Sequence, residues 1–190
     1  MDLKEKMFAP SALYAVTGIR DGTFRAQKAR DVYADLGITA DGESGRDSVY
    51  SLEQIVVIAA ALKLGKAGVE LRDAVGVITP VISDLGVWVE QARQAMAEWE
   101  EEAKDCPELK GYKLSLTAHM TATFLLWKSE PSGPGGARWS LAAINGKNGI
   151  STEMASVAPD HLAIFIDLGR IAGEVVWTLV QGGAMSMKEL

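Results

Sequence analysis

Apolar residues recur at the three- and four-residue spacing of helices through the first hundred positions, and beyond residue 107 they take on the alternation of strands. Pro10 suits the first turn of a helix, where its missing N–H has no partner to lose, and Ala12, Leu13, Ala15 and Val16 give that helix an apolar face. Gly18 ends it. A second helix is predicted to open near Asp21, whose carboxylate suits a helix start, and to run through Thr23, Phe24, Ala26 and Ala29 to about Tyr33. The stretch 34–48 is rich in turn residues. Asp41-Gly42 and Ser44-Gly45, flanked by Ile38 and by Val49-Tyr50, predict a short hairpin with its tip at 42–46.

Ser51 is a good N-cap for a helix over 52–64, in which Leu52, Ile55, Val56, Ala59 and Leu62 keep helical spacing before Gly65 and Gly68. Leu71, Ala74, Val75 and Ile78 predict a further helix over 71–78, with Pro80 just beyond it. Over 85–103 the residues Leu85, Val89, Ala92, Met96, Trp99 and Ala103 alternate steps of four and three, the spacing of a coiled-coil seam. Such a seam needs a partner, which is either the same helix of a second copy or the C-terminal part of this chain. After Pro107 strands are predicted over 112–118, 121–127, 138–144 and 162–166, with the Pro- and Gly-rich 129–136 as a loop. A final helix carries Ile171, Val175, Val176, Leu179 and Val180, and Gly182-Gly183 stops it. The pattern is α+β. It divides into a helical domain over 7–83, a linking helix over 84–105 and a small sheet with a terminal helix over 106–190.

Composition narrows the classes of function. The formal net charge is −6, yet the segment 20–30 holds Arg20, Arg25, Lys28 and Arg30 against Asp21 alone, a local charge of +3. The acidity lies elsewhere, as over 91–110, where six acidic residues outnumber three basic ones. Local distribution, not the total, decides an electrostatic contact. Cys106 is the only cysteine and His119 and His161 the only histidines, which excludes an intrachain disulfide and a thiolate metal site. No metal or cofactor is expected. The longest apolar stretches are broken by charge or glycine, and residues 1–7 lack the apolar core of a secretory signal, so no membrane span and a cytoplasmic location are expected.

In chain order, Thr17-Gly18, Thr23-Phe24-Arg25, Val49-Tyr50-Ser51-Leu52-Glu53, Leu62 through Gly65, and Leu71 to Ala74 resemble the MerR-type winged helix-turn-helix family. The resemblance covers about two fifths of the chain, and its order is more informative than any single motif. The chain departs from the family pattern at Ser48, where an arginine is usual, and at Ala26-Gln27, where an aromatic pair is common. The resemblance implies that the helix beginning at Asp21 enters the major groove of double-stranded DNA while a wing grips the flanking backbone. Arg25 and Lys28 become the leading base or phosphate contacts. Thr23 at the helix start, with Arg20, Arg30, the wing-tip Arg46 and the hydroxyl of Tyr50, completes the expected DNA-binding set.

The expected function is that of a sequence-specific transcriptional regulator acting as a homodimer, with Leu85, Val89, Ala92, Met96 and Trp99 as the dimerisation seam and the C-terminal sheet open to a small-molecule or protein effector. The alternative is a phage or mobile-element DNA-packaging or replication assembly protein that uses the same winged helix. A catalytic C-terminal domain is the lesser expectation. His119, Asp160, His161 and Asp167 could do acid–base work, but no motif brings them together, and no enzyme activity is expected. Trp127, Trp139 and Trp177 are read as sheet and helix core, and Cys106 as a structural residue at a helix end.

Overall fold

A computed structural model describes residues 6–40, 48–105, 123–128, 139–143 and 163–186. The expected strand over 112–118, the hairpin tip with Arg46, and Cys106, His119, Asp160 and His161 lie outside the described residues. The architecture is α+β: a mostly helical chain with two small antiparallel sheets.

The chain opens with β1 (Met7–Phe8) and α1 (Pro10–Thr17), which holds Pro10 in its first turn and ends at Gly18. Gly18 takes a left-handed conformation, φ 68°, and its N–H bonds back to the Tyr14 carbonyl at 2.9 Å. A side chain there would be strained, which is why glycine ends α1. Only Ile19 and Arg20 separate it from α2 (Asp21–Lys28).

The helix predicted to reach Tyr33 therefore stops five residues sooner. In a continuous helix Tyr33, nine residues after Phe24, would lie about two and a half turns on and face the opposite way. Instead the chain turns through Asp31, at φ 55°, and the Val32 N–H bonds to the Gln27 carbonyl. This brings the buried Tyr33 ring to 5.1 Å from Phe24, with the Tyr33 hydroxyl donating to Gln27 Oε1. A short 3₁₀ turn, Ala34–Leu36, follows.

The next strand, β2 (Tyr50–Ser51), pairs antiparallel with β1, with Phe8 opposite Tyr50 and Met7 opposite Ser51. The hairpin expected between Ile38 and Val49-Tyr50 is not the pairing found among the described residues. Burying Phe8 and Tyr50 beside Phe24 favours the N-terminal strand as partner.

Ser51 then caps α3 (Leu52–Lys66) through a reciprocal pair of bonds: its hydroxyl accepts from the Gln54 N–H, and Gln54 Oε1 accepts from the Ser51 N–H. The Gln54 amide also donates to the Leu36 carbonyl at 2.9 Å, tying the cap to the preceding turn. Ile55 through Ala61 are all buried, so α3 is covered on every side and forms the centre of the molecule. Helix α4 (Leu71–Ile78) keeps its predicted limits and continues through a 3₁₀ segment, Thr79–Asp84, into α5 (Leu85–Asp105).

Three strands, β3 (Thr123–Lys128), β4 (Trp139–Ala143) and β5 (Ala163–Asp167), form an antiparallel sheet with β3 in the middle; Leu126 pairs with Leu141 on one side and Ile164 on the other. β5 leads directly into α6 (Leu168–Gln181), which Asp167 caps by accepting the Arg170 N–H at 2.8 Å. After Gly182, Gly183 turns the chain with φ 70°.

Helix α6 packs on α5, α3 and α1, and the buried residues from Phe8 to Met185 form one continuous apolar core. The seam expected on α5 is covered here. Leu85, Val89, Ala92 and Met96 are all buried within the chain, on the helix that packs most extensively with α6. Of the two partners the seam allowed, the intrachain one occupies it, which corrects the assignment of these four residues to a dimer contact. The apolar face of α6, with Ile171, Val175, Val176 and Leu179, supplies the complementary stripe. The fifth seam residue, Trp99, has a side chain outside the described set.

Candidate nucleic-acid interface

Helix α2 buries a single residue, Phe24, whose ring is 1% exposed. Tyr14, Tyr33 and Tyr50 surround that ring with centroids at 6.2, 5.1 and 5.6 Å, two of them edge-on, the offset geometry that aromatic quadrupoles favour. Phe24 is therefore the anchor of α2, and everything else on the helix is available to solvent or half so. Arg20, Thr23, Arg25 and Arg30 are exposed, and Lys28 is half-buried. Gly22 and Ala26, four residues apart and so on one face, are exposed as well. A Cβ added at Gly22 would meet nothing within 4 Å. The outermost face of α2 is thus nearly bare backbone, flanked by Thr23 and Arg25, a shape that lets a surface approach closely.

Arg25 is not free in direction. Its Nε donates to Asp21 Oδ1 at 3.0 Å and its Nη2 lies 2.9 Å from Asp21 Oδ2, a two-point pair across one helical turn. Asp21 is in turn held by the Tyr14 hydroxyl, which donates to Oδ1 at 2.7 Å from the preceding helix. Burial and then the bond to Asp21 push the Tyr14 phenol up to about 12, so it remains a donor throughout the physiological range. The chain Tyr14, Asp21, Arg25 links the core to the exposed guanidinium. Sequence reading treated Asp21 only as a helix start; its spacing of four from Arg25 was the available signal for the pair.

Lys28 lines an open groove of about 190 Å³ with Thr39, Ser48, Tyr50 and Gln54. Tyr50 differs from expectation. Its side chain is 3% exposed, packed edge-on against Phe24, and burial raises its phenol pKa while a hydrogen bond with Ser48 opposes that rise. A ring that supports Phe24 cannot also reach out to a phosphate, so Tyr50 is a core residue, not a contact. Arg46 lies outside the described residues.

The other chemical candidates do not converge. Asp167 is used as the α6 cap, and Trp177 packs against the core from a half-buried position. Trp127 and Trp139 lie on β3 and β4 at positions whose side chains are outside the described set. Among the described residues no group of three or more His, Cys, Asp or Glu side chains could hold a metal ion. None of their helices is long and apolar enough to cross a membrane. No protein-family model matches the chain, and no curated protein is significantly similar to it.

Proposed function

We propose that the protein is a sequence-specific transcriptional regulator that binds double-stranded DNA as a homodimer, through a winged helix-turn-helix in which α2 enters the major groove. The observation that carries this reading is the division of α2: one buried aromatic fixes the helix, and its remaining surface offers Thr23 and Arg25 beside a bare ridge of Gly22 and Ala26, with exposed Arg20 just before the helix and Arg30 just after it. A groove-reading helix needs that combination of firm seating, close approach and long donors. Thr23 in the first turn is suited to a phosphate, where helix N–H groups add to its hydroxyl. Arg20, Lys28 and Arg30 supply backbone contacts. With the α5 seam already covered by α6, the dimer contact belongs to another surface.

Selection of DNA fragments by the full chain, repeated at two salt concentrations, tests the reading. Enriched fragments sharing an inverted repeat are expected. Arg25→Ala is expected to weaken binding by about 10- to 100-fold, the range for loss of one two-point base contact, with its circular dichroism unchanged. Affinity indifferent to sequence would count against regulation, and a ring or larger oligomer in solution would point to a packaging or replication assembly instead.

A further inference from the structure

Resting on the reading of α2 as a groove-entering helix, we propose that Asp21, anchored by Tyr14, is a positioning residue that makes Arg25 a reader of guanine and not a phosphate contact. The guanidinium has five N–H groups, and Asp21 takes the Nε and one Nη2 hydrogen, which together form one lateral edge. What remains is the end-on edge formed by Nη1 and the outer hydrogen of Nη2. Those two parallel donors match the O6 and N7 acceptors that guanine alone presents together in the major groove. The neighbouring carboxylate also decides between ligands. A phosphate at that edge would bring a full negative charge close to Asp21, whereas the guanine acceptors carry none. The side chain is also held in place: Arg25 is 77% exposed, yet two bonds fix its direction, and the carboxylate that fixes it is fastened to α1 by Tyr14. An arginine serving only as a counter-charge needs none of this.

The test compares the wild-type chain with Arg25→Ala, Asp21→Asn and Tyr14→Phe in the same fragment selection, followed by titration of duplexes altered at single positions at two salt concentrations. The wild type is expected to show one guanine per half-site whose replacement costs about 10- to 100-fold. Arg25→Ala is expected to abolish that preference while leaving the salt dependence unchanged, because no phosphate contact is lost. Asp21→Asn is expected to reduce the preference to about threefold or less, with binding to the altered duplex retained, and Tyr14→Phe to fall between. Thermal unfolding of each variant separates these effects from loss of fold, and Tyr14→Phe keeps the ring that packs on Phe24. The proposal is overturned if Asp21→Asn keeps the full guanine preference, or if Arg25→Ala lowers the salt slope by about one contact while leaving sequence preference intact. A wild-type chain that enriches no sequence overturns the DNA reading itself, and this inference with it.

Discussion

Phe24 owes its position to three tyrosines, and those tyrosines make stability depend on alkaline pH. Burial raises the phenol of Tyr33 and, with weaker opposition from Ser48, that of Tyr50, while Tyr14 is pushed up to about 12. In each case the folded state holds its proton longer than the unfolded chain, whose phenols titrate near 10. Stability is therefore complete below about pH 10 and is lost as the pH climbs towards the folded values. Denaturant unfolding at pH 9 and pH 11 is expected to show this loss, and Tyr14→Phe is expected to show a shallower one. On the opposite face of the same helix, Ala26 is exposed and supports nothing. Ala26→Glu is expected to leave the unfolding midpoint nearly unchanged, within the roughly 0.5 kcal/mol typical of surface substitutions. On the proposed reading of α2 it should nonetheless abolish DNA binding, because it would place bulk and negative charge on the ridge proposed to approach the groove. Gel-shift and unfolding measurements on one preparation would check both halves of that expectation.

At the scale of elements, the ends of helices set the relative placement of the parts. Gly18 allows α2 to follow α1 after three residues, and the Ser51 cap starts α3 directly from a strand. Ser51→Ala removes one of two reciprocal bonds and is expected to cost about 1 kcal/mol, measurable by denaturant titration. The coupling of that cap to the Leu36 carbonyl through Gln54 means that the turn after α2 is felt at the head of α3. Elsewhere Lys63 on α3 meets Glu174 on α6 at 2.6 Å, with Arg170 on the other oxygen at 3.2 Å. Burial alone would raise the Glu174 carboxyl, but the two cations outweigh it and hold it below the usual carboxylate range. Being partly exposed, that link contributes little beside the apolar contact of the two helices.

At the scale of the whole molecule, the decisive feature is that α6 completes the core begun by α1, α3 and α5. Much of the buried stripe of α5, the helix it packs on most extensively, would lose its cover if it were removed, together with parts of α3 and α1. A chain ending at residue 105 is therefore expected to lose cooperative unfolding, or to self-associate through the exposed stripe, whereas the full chain unfolds in a single transition. Calorimetry and light scattering on the two lengths would distinguish these outcomes, and an unaltered midpoint for the short chain would refute the shared core. Anything that shifts β5 or α6 acts on the same core that seats α2.

Much of this was legible in local pattern. Pro10 and Gly18 bound α1, Ser51 starts α3, Leu71 to Ile78 keep their predicted limits, and the strands around 123–128, 139–143 and 163–167 follow from alternation and β-propensity. Such features depend on a few neighbouring residues, so they survive in one dimension. The rest needed contacts between distant segments. Apolar spacing on α5 demanded a partner but was equally satisfied by another copy or by α6, because a buried stripe carries no label for what buries it. Tyr50 offered its hydroxyl as a phosphate contact in the sequence, but the fold buries it against Phe24. The helix at Asp21 was expected to run on to Tyr33, whereas it ends at Lys28 and the chain turns at Asp31, seating Tyr33 against Phe24. Local pattern located most of the helices and the later strands and where the positive charge lies, but not the end of α2 or the strand at Met7–Phe8. The tertiary structure alone decided which apolar face meets which, and that a tyrosine from α1 fastens the carboxylate holding Arg25, since burial and hydrogen-bond geometry exist only once the segments have met.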